Sequence, residues 1–284
     1  MRVVSLLPAA TEIVAALEAG DTLVGVSHEC DWPPEVRTLP RVTRTTLDTA
    51  LPSGAIDRAM AAARAQGVAP VQLDLDLLRR LAPQVVIGQS LCEVCAVGAG
   101  DLARAAEVLG PDVRFVTLHA HVLQEVFADI ARVGEALDLR EEAAEVTDDM
   151  RDRLRWVAAQ HVTPVARQPR VVVLEWVDPP YVAGHWVPQL VKIAGGCDVG
   201  AKLGERSRVV AWRDLIALAP DVVIVALCGF DEARARREVA ALDDPGAREF
   251  LNRRVEFLDG NAYTSRPGPR LSEAAERMAE LIHG

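Results

Sequence analysis

The sequence predicts an α/β protein of two Rossmann-like lobes, each built on a mostly parallel sheet, joined by a long helical linker. Three observations carry this reading. Short continuous Val/Ile runs alternate with amphipathic helical stretches, the pattern of strands buried on both faces of a parallel sheet. One segment recurs: Leu81-Ala82-Pro83-Gln84-Val85-Val86-Ile87 returns as Leu218-Ala219-Pro220-Asp221-Val222-Val223-Ile224. Each copy follows a helical segment and precedes a cysteine, Cys92 or Cys228, which indicates two halves built on one plan. The middle of the chain is a long one-faced helical run.

In chain order, Arg2 to Leu7 reads as a buried strand and Pro8 to Leu17 as a helix with Ile13, Val14 and Leu17 on one face, stopped by Gly20. Further strands are expected at Leu23–Val26 and Val85–Gly88. Residues 1–120 make the first lobe. The linking region is 121–162. Val122, Val126, Ile130, Val133 and Leu137 line one helix face; after a break near Asp138-Leu139, Ala143, Val146, Met150, Leu154 and Val157 line another. The second lobe, 163–284, opens on a loop through Pro169. Its strands are expected at Val171–Leu174, which repeats the opening strand, Val222–Ala226 and Val255–Leu258.

Composition narrows the function. The chain has 284 residues, half of them hydrophobic, with 31 Lys+Arg against 41 Asp+Glu and a net charge of −10. No basic stripe offsets that charge, so nucleic acid is not an expected partner. No apolar run approaches the roughly 18 residues of a membrane span, so the chain is not expected to be membrane-embedded. Glu12 cuts short anything resembling a leader, and the five cysteines are an odd number. A cytoplasmic location with free thiols is therefore expected. A start codon assigned too far downstream would instead make the protein periplasmic or cell-surface.

In an open parallel sheet, ligands bind beyond the carboxyl ends of the strands. The rare residue types gather in those segments. They are Ser27-His28-Glu29-Cys30-Asp31-Trp32, Gln89-Ser90-Leu91-Cys92-Glu93-Val94-Cys95, Glu175-Trp176, Gly184-His185-Trp186, Cys228-Gly229-Phe230, and 259–270 with Tyr263 and Arg266. Aromatic residues are 4% of the chain, so finding Trp32, Trp176 and Trp186 here is informative. The tryptophans and Tyr263 suit a large flat ligand, or else pack the lobe interface. Arg266 presents a fork to a carboxylate, amide or phosphate, whereas Arg270 reads as part of a capping loop. Glu29, Glu93 and Glu175 are acid/base groups in an enzyme, hydrogen-bond partners for ligand amides, or ion-pair partners of arginines.

These motifs, with the opening Ser5-Leu6-Leu7-Pro8-Ala9-Ala10-Thr11-Glu12, resemble the leaderless, cobalamin-binding-like branch of the helical-backbone (class III) solute-binding proteins of ABC importers. The resemblance spans essentially the whole chain. It implies a periplasmic-binding-protein-like fold, a rigid linking helix and a small-molecule ligand held between the lobes. The expected ligand is cobalamin, another corrinoid, or another metal chelate such as haem or an iron-siderophore. Its contacts would come from His28, Glu29, Trp32, Gln89, Glu93, Glu175, Trp176, His185, Trp186, Tyr263 and Arg266. An importer permease is the implied protein partner; no nucleotide is expected.

A second reading keeps the same cleft but makes the chain a cytoplasmic metal- or thiol-dependent enzyme. Cys92-x-x-Cys95 has metal-type spacing, and with His28 and His185 it forms a candidate set for zinc or iron. No complete nucleophile–base signature accompanies it, and binding alone requires no covalent chemistry.

Overall fold

The structure, a computed structural model, describes residues 1–89, 97, 99–162 and 164–284. They form two compact units. The first comprises 1–51, 58–120 and 124–148; the second comprises 52–57, 121–123 and 149–284.

In the first unit β1 (Val3–Ser5) leads into α1 (Pro8–Ala16) and β2 (Leu23–Val26). Pro8 sits in the first helical turn, where its missing N–H costs nothing. Next come β3 (Thr43–Thr45), α2 (Ser53–Ala65), whose first turn clusters with the second unit, and β4 (Val71–Leu73). They are followed by α3 (Leu75–Leu81), β5 (Val85–Gln89), α4 (Ala99–Leu109) and β6 (Arg114–Leu118). The strands order as β2-β1-β5-β6, all parallel, while β3 and β4 form a separate antiparallel pair. Val4, Leu6, Val42, Leu78, Val86 and Ala105 meet in its core. The chain order reverses between β1 and β5, which puts the topological switch point at their carboxyl ends.

The middle of the chain forms α5 (Leu123–Leu137) and α6 (Arg140–Gln160), with Asp138 in a left-handed conformation at the break. Both amphipathic runs are therefore helices, separated where the hydrophobic period lapses. The buried Asp129 of α5 accepts from the backbone N–H of His119 (2.9 Å) and Ala120 (3.1 Å), and pairs with Arg132. The division between units falls inside α6, between Asp148 and Asp149.

The second unit continues with β7 (Arg170–Val177), β8 (Pro180–Val182), α7 (Val187–Ile193), β9 (Cys197–Asp198) and β10 (Arg208–Val209). It closes with α8 (Trp212–Ala217), β11 (Val222–Val225), α9 (Glu232–Ala240), α10 (Pro245–Leu251), β12 (Val255–Phe257), α11 (Gly260–Tyr263) and α12 (Leu271–His283). The sheet order is β10-β8-β7-β11-β12, with β9 beside β7. Strands β7, β11 and β12 are parallel, whereas β8 folds back antiparallel on β7. That hairpin corrects the sequence reading. The strand does not stop at Leu174, so Glu175 and Trp176 lie within β7 and not in a loop beyond it.

The repeated segment has one structure in both copies. Leu81 ends α3 and Ala82 turns left-handed (φ 43°); Leu218 follows α8 and Ala219 turns likewise (φ 44°). A proline then blocks continuation, and the chain enters the central strand, β5 or β11. The opening strands fit the same corner. The backbone N–H of Arg2 donates to Gln84 Oε1 (3.0 Å), and that of Arg170 donates to Asp221 Oδ2 (2.8 Å). The N–H of Gln84 donates back to Arg2 O, and that of Asp221 to Arg170 O, each at 2.8 Å. Both guanidinium groups donate to the carbonyls that end the helices, Leu81 O in one unit and Leu218 O in the other.

Two predictions follow from local strain. Ala82 and Ala219 each hold a conformation that an L-residue adopts at a cost of about 1–2 kcal/mol. Ala82→Gly and Ala219→Gly should each stabilise the protein by roughly 0.5–1 kcal/mol in denaturant titrations. The second concerns Asp198 on β9. Its Oδ1 accepts from the N–H of Gly200 (2.8 Å) and Ala201 (2.9 Å), while its Oδ2 is buried without a hydrogen bond. Burial pushes this carboxyl up to about 6, against the two backbone bonds that favour its charge. Above pH 6 the folded state therefore carries a carboxylate better solvated when unfolded, and the cost fades as pH falls from 6 towards 4. Asp198→Asn should stabilise the chain by on the order of 2 kcal/mol at pH 8 and by little near pH 4. Equal stabilisation at both pH values would refute the assignment.

Candidate functional site

In the first unit the described candidates cluster after β2. Ser27, His28 and Cys30 are anchored to the framework. The backbone N–H of His28 donates to Thr43 Oγ1 (3.0 Å), and the ring Nδ1 lies 2.7 Å from the same oxygen. Thr43 is itself buried and donates to Ser27 Oγ (3.3 Å). Arg41 donates to the carbonyls of Ser27 (2.9 Å) and Cys30 (2.6 Å), so one guanidinium ties both ends of the turn. The Cys30 thiol is buried with its sulfur 3.1 Å from Thr11 Oγ1, and the Thr11 hydroxyl donates to Ser5 Oγ at 2.8 Å. This thiol packs the interior. Beyond the turn Glu29 is exposed, and Trp32 keeps 45% of its surface accessible. Burial, and then the charge of Arg41, hold His28 below the ordinary histidine pKa, which favours the neutral imidazole at pH 7. Gln89 closes β5 as a half-buried residue. Cys92, Glu93 and Cys95 lie outside the described residues. Among those described, no group of three His, Cys, Asp or Glu side chains could hold a metal ion.

In the second unit the candidates separate into framework and surface. Trp186 is 4% exposed and donates its indole N–H to Thr264 O at 3.0 Å; its ring is part of the interior. Trp176 lies against Phe230, ring centres 5.1 Å apart, and donates to Asp178 O (3.2 Å). It stays partly exposed beside the half-buried Glu175. The Tyr263 hydroxyl donates to Glu273 (2.8 Å) and its ring lies under the Arg270 guanidinium (5.0 Å). Arg266 is buried and donates to Asn261 Oδ1 at 2.8 Å. Of these residues, Arg266 and Trp186 hold the 259–270 segment together from inside.

His185 is different. Its backbone is left-handed (φ 55°), fixed by its own N–H to Glu205 O (2.7 Å) and by the Gly204 N–H to its carbonyl (3.0 Å). The preceding Gly184 runs so close to Glu205 and Ser207 that any Cβ there would strike their backbone. The His185 ring stands 5.4 Å from that of His121 and 5.6 Å from that of Trp186, and its Nδ1 is buried without a hydrogen bond. Burial, then His121 and Arg206, keep its pKa below the usual histidine range. His121 and Arg206 had no sequence signal of their own. His121 begins a helical stretch and Arg206 sits in an ordinary polar loop; only the fold of the second unit brings them to His185.

The chain as a whole is similar to known proteins. A sequence model of the family described as periplasmic binding protein matches residues 3–253, and the chain belongs to that family. Among curated proteins, the uncharacterized ABC transporter substrate-binding lipoprotein YvrC of Bacillus subtilis is 22% identical, over 99% of this chain and 80% of its own length. A vitamin B12-binding protein of Vibrio cholerae is also 22% identical, over 99% of this chain and 88% of its own. Among solved structures, a periplasmic heme-binding protein of Pseudomonas aeruginosa superimposes with a TM-score of 0.75 at 22% identity, over 99% of this chain and 92% of its own. The resemblance expected from the loop motifs is thus a family membership. No helix among the described residues is long and apolar enough to cross a membrane.

The depressed histidines give a prediction. Unfolded imidazoles take up protons near pH 6.5, while His28 and His185 in the fold resist protonation. Their folded pKa is the lower one, so both destabilise the native state as pH falls through 6.5. His28→Gln should reduce the stability lost between pH 7.5 and 5.5 in urea titrations. At pH 7.5 it should cost only about 1 kcal/mol, the worth of one neutral hydrogen bond. An unchanged pH slope would show that His28 titrates normally.

Proposed function

We propose that the chain binds a metal chelate (a corrinoid, haem or an iron-siderophore complex) and presents it to an ABC importer permease. Membership of the periplasmic binding protein family across 3–253 carries this reading. Two similar proteins are described as binding vitamin B12 and heme, each a metal held in an organic macrocycle. The chain's own chemistry agrees. Neutral imidazoles at His28 and His185 are donors rather than cations, and the accessible Trp32 and Trp176 offer flat apolar area. Oriented polar groups around aromatic surface bind without covalent chemistry.

The test is calorimetry and absorbance titration of the full chain with cyanocobalamin, dicyanocobinamide, haemin and a ferric catecholate, run beside metal analysis. At least one chelate should bind with one-to-one stoichiometry. Trp32→Ala or Trp176→Ala should weaken it by about 0.5–1.5 kcal/mol beyond the lost area. No binding of any of them at tens of micromolar, with one tightly held zinc or iron per chain that is lost in Cys92→Ser or Cys95→Ser, would favour the metal-enzyme reading instead.

A further inference from the structure

The second unit holds an open cavity of about 640 Å³ at the end of its sheet away from Glu175 and Trp176. Three parallel strands begin there: Arg170 opens β7, Cys197 opens β9 and Val222 opens β11. Its lining is of two kinds. Val222 and Ile282, each 2% exposed, form an apolar inner surface, and Val165 adds an apolar side chain that is 80% exposed. Arg167, Arg170 and Arg254 line the same cavity against one acid, Asp221, in a chain whose net charge is −10.

Two of these arginines have a structural task. Arg170 donates through Nε to Ala219 O (3.3 Å) and through Nη2 to Leu218 O (2.7 Å). Arg254 donates through Nη1 to Ile282 O (3.1 Å), through Nη2 to Leu281 O (2.7 Å) and through Nε to Glu256 (3.0 Å). These bonds satisfy carbonyls at helix ends and hold both guanidinium groups in place. They do not exhaust them. Arg170 Nη1 takes no part, and each Nη of Arg254 carries a second N–H. The acid is engaged as well, since Asp221 Oδ2 accepts from the Arg170 backbone N–H (2.8 Å). Arg167 has no such task. It is exposed, and its guanidinium makes no hydrogen bond or ion pair among the described residues. Helix capping explains two of the three arginines; it explains neither the third nor the uncovered apolar lining beside it.

We propose that this cavity binds a small organic carboxylate with an apolar body. The carboxylate takes the guanidinium fork, and the body covers Val222, Ile282 and Val165. An inorganic anion would leave the apolar lining wet, and a neutral hydrophobe would leave the arginines unused. Because Arg170 and Arg254 are already immobilised by carbonyls, less freedom is lost on binding. The site shares no residue with the chelate reading and stands independently of it.

2-Naphthoate, a carboxylate on two fused apolar rings, is the probe. Calorimetric titration of the full chain should show one site, with the uncharged 2-naphthalenemethanol and inorganic sulfate each about tenfold weaker or more. Arg167→Ala should weaken naphthoate about threefold and Arg167→Glu about tenfold. Arg167 is exposed and unpaired, so both variants should melt with the native chain. Ala166→Trp, at an exposed position on the cavity wall, should block binding. Cys197 reports the location, because its free, half-buried thiol lines the cavity. Saturating naphthoate should slow its alkylation by N-ethylmaleimide, followed by mass spectrometry of the Cys197 peptide, in the native chain but not in Arg167→Glu. Absence of naphthoate binding at millimolar concentration would overturn the proposal. Equal binding of the uncharged analogue would do the same, as would unchanged affinity in the Arg167 and Ala166 variants, or an unprotected Cys197. None of these results bears on the chelate titrations, so the two readings fail separately.

Discussion

Everything in each unit is built off one corner, where an arginine at the start of the opening strand clasps a Leu-Ala-Pro turn. Arg2 and Arg170 do this with backbone and side chain together. In each unit the arginine N–H reaches the side chain of Gln84 or Asp221 while its carbonyl accepts from that residue's N–H, and the two bonds fix the register of the opening strand against the central one. A slip of one residue would break both bonds and misplace the guanidinium relative to the helix-end carbonyls. That guanidinium also satisfies carbonyls left orphaned at the end of the preceding helix, where a cation is electrostatically favoured. The left-handed alanine and the proline after it are what make the corner sharp.

Because the register is fixed at the amino ends of the strands, the segments leaving their carboxyl ends start from defined positions. In the first unit this lets Thr43, Arg41 and Thr11 hold the 27–32 turn by its carbonyls, a hydroxyl and a thiol. Trp32, at the end of the same turn, keeps accessible surface. In the second unit the β7–β8 hairpin and the 202–207 segment do comparable work. They fix His185 in a conformation it would not otherwise prefer, close to His121 and Trp186. Rare residue types near strand ends thus divide into two roles. Trp186, Cys30 and Arg266 point inward and support, whereas Trp32 and Trp176 retain accessible surface.

Hydrophobic period and local echo made much of this legible in the sequence. Alternating Val/Ile runs and helical stretches announced two parallel-sheet units because buried strands leave little choice of residue. The break at Asp138-Leu139 was visible because the apolar period lapses there. The Leu-Ala-Pro repeat marked a shared corner before any contact was known. The loop motifs carried the family resemblance.

What sequence alone could not determine is direction and company. It could not say whether Trp186 faces solvent or core, because tryptophan in a strand-end loop reads the same either way; the structure shows it 4% exposed with its indole N–H on Thr264 O. It ended a strand at Leu174, because the hairpin to β8 depends on pairing with a later segment that leaves no periodic trace. It gave no sign that His121 and His185, 64 positions apart, would stand ring to ring. A one-dimensional pattern reports which residues favour burial or a helical face, since those preferences are local. Which side chains meet is set by how strands and helices pack, and that only the tertiary structure decided.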